Sequence, residues 1–314
     1  MIFKNRTFLT VSMLMVTIAV VLIFSSGFRK SCQEYEIPAL DPVVANQSYK
    51  LPDEVYFAGE RMPLENFDTR ESLDREILTT AYRHSSTILI IKRANRYLPI
   101  IEKILKENGI PDDFKYVVAA ESEYSNMISP VGATGFWQIM TDTGKEQGME
   151  INSIVDERYN LERSTRFACD YFKKSYEKYG SWTLSAASYN SGRRRIDEQI
   201  TIQKQDDYYN LLLSEETARF IFRVVAYKLV ISDPSAYGFD IAKEDMYPEL
   251  KYYEVKVDTI VKDFASFAEH FGTNYKMLKF LNPWLRQSHF TPRQGKSYLI
   301  KIPEEGMRNA EMSN

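Results

Sequence analysis

Between residues 73 and 230 apolar side chains recur at spacings of three and four, and this sustained period is what most limits the folds open to the chain. The pattern runs through Ile88 and Ile91, Leu98, Ile101 and Leu105, Phe167 and Tyr171, and Phe220, Val224 and Tyr227. Such spacing puts one apolar stripe on each helix, and helices of that kind bury their stripes against one another. Asn108-Gly109 ends one helix, and Pro111 with Asp112 and Asp113 opens the next, since a proline and acidic residues suit a first turn. The pattern changes after Ser232. Asp233-Pro234 and Tyr237-Gly238 mark a linker, and 252–257 then alternates like a strand. Helical stretches follow through Phe264, Phe267 and Ala268 and through Met277, Leu278 and Leu281, and 298–303 is again strand-like. The expected fold is mainly α, with a small βααβ module at the C-terminal side.

The approach to this helical region reads differently. Lys4 and Arg6 precede an uncharged run from Phe8 to Phe28 in this 314-residue sequence. About 20 apolar residues are enough to cross a bilayer. The run is longer than a usual signal-peptide core, which favours a retained anchor, although Ser25, Ser26 and Gly27 suit cleavage. Residues 1–30 are therefore a signal peptide or membrane anchor, and either exports the remainder to the periplasm or cell envelope. Arg29, Lys30 and Ser31 before Cys32 do not fit a lipidation signal. Pro38, Pro42, Pro52 and Pro63 make 31–72 an extended tether, and 305–314 is expected to be a disordered tail.

Composition excludes several classes. The net charge of -3 leaves no bulk basicity to hold nucleic acid. Cys32 and Cys169 form no C-x-x-C spacing, and His84, His270 and His289 are scattered, so neither a metal site nor a cofactor is expected. The 21 tyrosines and 18 phenylalanines suit sugar stacking and ordinary cores alike.

The chemistry gathers around Glu121. Phe114, Val117, Val118 and Glu121 stand at i, i+3, i+4 and i+7, so a helix over 111–124 carries the carboxylate on its apolar stripe. Burial there would raise its pKa and keep it an acid near neutral pH, as glycosidic cleavage requires. The alternative is a carboxylate reaching out to solvent at the helix end. Glu123, about 200° further round, is expected to face elsewhere. Residues 129–140 then place Gly132 and Gly135 before Trp137 and Gln138. Tyr189 and Asn190 precede Gly192, and Glu216 and Thr217 open a helix behind Ser214.

In order, Glu121-Ser122, Gly132-Ala133-x-Gly135-x-x-Gln138-Ile139-Met140, Tyr189-Asn190-x-Gly192 and Glu216-Thr217-x-x-Phe220 resemble the motif set of soluble-type lytic transglycosylases. These belong to the goose-lysozyme-like superfamily, and the nearest group is the membrane-bound type D enzymes. The resemblance implies a lysozyme-like catalytic domain over 73–232 that acts on peptidoglycan. Glu121 would be its catalytic residue, with Ser129, Gln138, Tyr189, Asn190 and Glu216 lining the substrate cleft. Ser125-Asn126-Met127-Ile128 is shorter than the family's segment, Ser188 replaces an alanine, and Phe220 stands where tyrosine is common. The implied reaction breaks the bond between N-acetylmuramic acid and N-acetylglucosamine and leaves a 1,6-anhydro end. A hydrolytic muramidase would need a carboxylate placed to activate water, and none stands out in the sequence. A non-catalytic wall-binding protein is a further alternative. Residues 250–304 resemble a LysM repeat, through Tyr253-x-Val255-Lys256-Val257-Asp258-Thr259-Ile260, Leu281-Asn282-Pro283 and Tyr298-x-Ile300-x-Ile302-Pro303. That family implies binding to N-acetylglucosamine. Val257 stands where the repeat's usual glycine would be, which leaves a purely structural module open.

Overall fold

A computed structural model describes residues 48–308. The candidate anchor, Cys32 and residues 309–314 lie outside the described residues. Among those described, no helix is long and apolar enough to cross a membrane.

The helical region is built around helix α1 (Phe67–Tyr82), helix α2 (His84–Glu107) and helix α8 (Glu215–Ser232). Leu73 and Ile77 of α1 and Phe220, Ile221 and Val224 of α8 are buried in the same core, and these two helices pack closely. Beyond the short helix α4 (Thr141–Glu146), helix α5 (Leu161–Tyr179) follows a side-chain cap in which Asn160 accepts from Arg163 N, and it ends at Gly180 with φ 64°. Its buried face, Phe167, Ala168, Cys169 and Phe172, meets helix α6 (Trp182–Ser191). Helix α7 (Arg193–Gln203) runs on from Gly192. Burial pushes the Cys169 thiol up to about 12, which leaves it an inert core residue at neutral pH.

Two expectations change. Residues 48–66 are not a tether. Leu51, Val55, Phe57, Met62 and Leu64 are buried in the helical core, and strands β1 (Tyr56–Phe57) and β2 (Glu60–Arg61) form a small hairpin. Glu60 reaches the start of α6, where it accepts from Trp182 N at 2.6 Å, Thr183 N at 2.9 Å and the Ser181 and Thr183 hydroxyls. A carboxylate there satisfies free N–H groups and opposes the positive helix end. The prolines hid this, because they break periodicity without preventing burial. The second change concerns 111–124. The segment starts as a 3-10 turn (Asp112–Tyr116) and becomes α-helical only over α3 (Val117–Ser122). Glu123 and Tyr124 then take left-handed φ values of 52° each.

The C-terminal module has the expected order. Strand β3 (Tyr252–Val257) pairs antiparallel with strand β4 (Tyr298–Pro303), Tyr252 opposite Pro303 and Val257 opposite Tyr298. Between them lie helices α9 (Phe264–His270) and α10 (Tyr275–Leu281), capped by Asp263 and Asn274. Its core of Phe264, Leu278, Trp284, Phe290, Ile300 and Ile302 takes in Val155 and Tyr159 from the helical region. The backbone joins the two parts: Val155 pairs with Leu285, Asp156 N donates to Trp284 O at 2.9 Å, and Arg286 N donates to Ile154 O at 2.8 Å.

Candidate active site

Glu121 is the last glutamate of α3, one residue before the helix ends. It is half-buried, and it lines a hollow of about 340 Å³ with Glu76, Arg83, Glu123, Met127, Arg219, Arg223 and Tyr227. That volume lies in the range of small-molecule sites. Burial pushes the Glu121 carboxyl up to about 8; the nearby Glu216 adds to the rise and Arg223 opposes it. A group at that value keeps its proton through neutral pH.

The loop opposite is rigid for identifiable reasons. Residue Thr134 pairs with Ile128 on one side and with Ile139 on the other. Gly135 has φ 85°, and a Cβ there would overlap the Arg158 carbonyl oxygen, so only glycine fits. Trp137 is fully buried, and its indole N–H donates to Thr165 Oγ1 at 2.9 Å. The Ser122 hydroxyl donates to Phe136 O at 2.7 Å, and the Tyr189 hydroxyl donates to Trp137 O at 2.7 Å. Residues that flank or face the acid thus hold the loop's two neighbouring carbonyls. Arg158, buried and paired with Asp156 at 2.8 Å, donates to Gly132 O, Ile139 O and Thr141 Oγ1.

The sequence-derived residues are placed unequally. Tyr189 on α6 faces Glu121: burial holds its hydroxyl protonated far above the usual tyrosine range, and the Glu121 charge adds to that. Asn190 joins the start of α8, donating to Glu216 Oε1 at 3.4 Å and accepting from Thr217 Oγ1 at 3.0 Å. Glu216 is exposed, and its charge reaches Glu121. Ser129 and Gln138 instead serve their own loop. Ser129 Oγ accepts from Ala133 N at 3.0 Å, and Gln138 Nε2 donates to Gly135 O at 2.8 Å and Met127 O at 3.2 Å. Gln138 also has φ 47°, an unusual backbone for a non-glycine residue.

Sequence reasoning misplaced Glu123 and missed four cleft residues. Because α3 stops at Ser122, Glu123 turns back to line the hollow, where it pairs with Arg83 at 2.7 Å. Glu76, Arg83, Arg219 and Arg223 come from α1, the α1–α2 corner and α8. A polar residue every fourth position of α8 (Glu215, Arg219, Arg223) was the available signal. Among the described residues no cluster of histidine, cysteine and carboxylate side chains is arranged to hold a metal.

Comparison with known proteins fits this arrangement. The family model described as the transglycosylase SLT domain matches residues 99–212. A second, described as the soluble lytic transglycosylase C-terminal LysM-like domain, matches 253–306. Membrane-bound lytic murein transglycosylase D of Escherichia coli (strain K12) is 25% identical over 241 residues, which is 74% of this chain and 52% of that protein. The protein of the same name from Escherichia coli O6:H1 gives the same figures. The chain spans about half the length of these curated relatives. An X-ray structure of an inactive mutant of lytic transglycosylase Slt from Pseudomonas aeruginosa aligns with a TM-score of 0.37 and 18% identity, over 48% of this chain and 26% of that one. The SLT match contains Glu121, Ser129, Gln138, Tyr189 and Asn190, whereas Glu76, Glu216, Arg219 and Arg223 lie outside it. With the two matches falling in order on the helical region and on the βααβ module, the chain carries an SLT transglycosylase domain followed by a LysM-like domain.

Proposed function

We propose that this protein is a peptidoglycan lytic transglycosylase with Glu121 as its single acid and base. The observation that carries the reading is a carboxyl kept protonated at neutral pH, at the wall of a sugar-sized cleft inside an SLT domain. Glu121 protonates the glycosidic oxygen between N-acetylmuramic acid and N-acetylglucosamine, the bond from that oxygen to C1 of the muramic acid breaks, and the N-acetylglucosamine leaves with a free hydroxyl. The muramic acid's own N-acetyl group stabilises the cationic carbon. The Glu121 carboxylate then takes the proton of the C6 hydroxyl, whose oxygen closes onto C1 and leaves a 1,6-anhydro end. Tyr189 and Asn190 shape the wall beside the acid, burial with help from Glu216 keeps it protonated, and Gln138 and Ser129 hold the loop that borders the sugar.

One observation favours hydrolysis as the second reading. Glu216 is a carboxylate near Glu121 that meets the Asn190 amide and, among the described residues, no cation, whereas Glu76 and Glu123 are neutralised by arginines. A free carboxylate near the acid is what water activation requires. Digesting purified sacculi and weighing the fragments separates the two: anhydro ends support the transglycosylase, and reducing ends alone support the muramidase. Loss of all release in Glu121→Gln ties either reaction to this residue, and unchanged release removes both. In the same reading the chain works in the cell envelope, with residues 1–30 as its export signal or anchor and the LysM-like domain in contact with the glycan.

A further inference from the structure

The cleft contains more charge than the proposed reaction uses. Glu76 is only 1% exposed, yet Arg219 lies 2.7 Å from it, Arg75 3.4 Å and Arg223 3.6 Å. A carboxylate taken out of water beside three guanidinium groups is costly to assemble unless it places them. Arg219 is also engaged by Glu215 at 3.4 Å. Among the described residues Arg223 has only the longer ion pair with Glu76; it is 30% exposed and lines the hollow with Glu121. Glu216 and Arg223 are seven residues apart on α8, so two turns set them on one face of the helix that packs on α3.

The remaining charges around Glu121 are matched. Glu123, just after α3, is paired with Arg83. On the 3-10 turn packed against α3, Asp113 is paired with Lys228 at 2.8 Å, and Lys115 with Glu102 and Asp112. Tyr189 on α6 and Tyr227 on α8 stay neutral, both pushed above the usual tyrosine range by burial. Glu216 and Arg223 are the two charges that act on Glu121, and they pull in opposite directions.

We propose that Arg223, braced by Glu76, is a positioning residue for Glu121 that steadies the carboxylate left once the acid has given up its proton. The inference rests on the reaction proposed above. In the first step the Glu121 O–H bond breaks, the proton goes to the glycosidic oxygen, and the negative charge stays on the carboxylate beside Arg223. In the second, the C6 hydroxyl returns a proton to that carboxylate. Burial and Glu216 favour the acid form, and Arg223 keeps the base form within reach, so one group can serve both steps.

The test compares full-length wild type with Arg223→Gln, Arg223→Lys, Glu216→Gln and Glu76→Gln. Two readouts are taken: the pH profile of fragment release from sacculi, and the carbon-13 titration of the Glu121 carboxyl, assigned by its absence in Glu121→Gln. Arg223→Gln should raise the Glu121 midpoint and the alkaline limb of the profile together, by about half a unit or more. Arg223→Lys should restore both, Glu216→Gln should lower both, and Glu76→Gln should move them upward by less than Arg223→Gln. A midpoint in folded Arg223→Gln that matches wild type overturns the proposal, and so does an equal rise in Arg223→Lys. If Arg223→Gln fails to fold, Glu76→Gln/Arg223→Gln is titrated in its place, since removing a buried pair together is tolerated better than removing one partner. If wild type releases no fragments, the proposed reaction fails, and the carboxyl titration still decides the role of Arg223.

Discussion

Glu121 in the cleft and the glutamates of the seam between the two domains are treated in opposite ways. In the seam each glutamate meets a lysine. Glu150 lies 2.7 Å from Lys296 and accepts from the Tyr298 hydroxyl at 2.8 Å, Glu157 lies 3.2 Å from Lys296, and Glu162 pairs with Lys301. Burial works to raise the Glu150 carboxyl, but Lys296 and Tyr298 outweigh it and hold the group below the ordinary range. In the cleft, Glu121 has burial and a like charge on its side, with a single opposing guanidinium, and is pushed up to about 8. The glutamates that hold two domains together are neutralised, whereas Glu121 is kept short of opposite charge. A carboxylate left in that state marks a working site better than its residue type does.

Glu121→Gln should break this contrast with the largest effect. Fragment release should fall by about 10²-fold or more, since positioned acid–base catalysis is worth about 10²–10⁴-fold. The fold should survive, and the sign of the stability change is informative. A carboxyl whose folded pKa is raised costs stability increasingly as pH climbs from the unfolded value of 4.5 to about 8. The Gln variant should therefore melt above wild type by a margin that widens over that window. A variant that melts at or below wild type throughout would remove Glu121 from the buried, proton-holding position described above.

Next in size is Gly135→Ala. A methyl group at φ 85° is strained and would also strike the Arg158 carbonyl, so a loss of about 2–4 kcal/mol is expected in denaturant melts. Gly132→Ala has the same kind of backbone, with φ 86°, but open space for its methyl group, so it isolates the strain. Equal losses for the two would show that the Arg158 contact does not constrain the loop.

The α and β periods of the chain were legible because they follow from which residues face a core. The βααβ order over 252–303 came from that, and the break at Asn108-Gly109 came from the residues that end and open helices. Glu121 was legible as a carboxylate on an apolar stripe, although its helix stops earlier than the stripe suggests. What periodicity cannot show is contact between distant segments. Nothing near Glu76 in the sequence announces that Arg219 and Arg223 will surround it, because the pairing exists only once α1 lies on α8. The packed hairpin around Glu60 was hidden for the same reason: its partners are the first N–H groups of α6, more than a hundred residues away. Glu123 was misplaced by extending an ideal helix past the point where Tyr124 turns into the core.

Tyr189→Phe should have a smaller effect. It leaves the Trp137 carbonyl without its donor, at a cost of about 1–2 kcal/mol, and loosens the loop that faces the acid. Thermal melts should show the loss. Fragment release should fall by less than in Glu121→Gln, because no proton passes through this hydroxyl in the proposed reaction. A loss of release equal to that of Glu121→Gln would make Tyr189 a participant in the chemistry.

The smallest effect belongs to the seam. Glu150→Gln removes one half-exposed ion pair, worth about 1 kcal/mol or less, and the docked LysM-like domain retains its backbone pairing through Val155 and Leu285. The informative variable is pH. A carboxylate with a lowered folded pKa contributes stability that is fully present above the unfolded value of 4.5 and is lost as pH falls through the lower, folded value. Amide exchange of β3 and β4 should therefore speed up in wild type as the pH drops from about 6 to about 3, after correction for intrinsic rates, and the slope should be shallower in Glu150→Gln. In the cleft, acidification does the reverse, because protonating Glu121 relieves a penalty. Exchange in α3 should slow over the same range while exchange in the seam speeds up. If both regions loosen together, the opposite treatment of their glutamates is not what sets their stability.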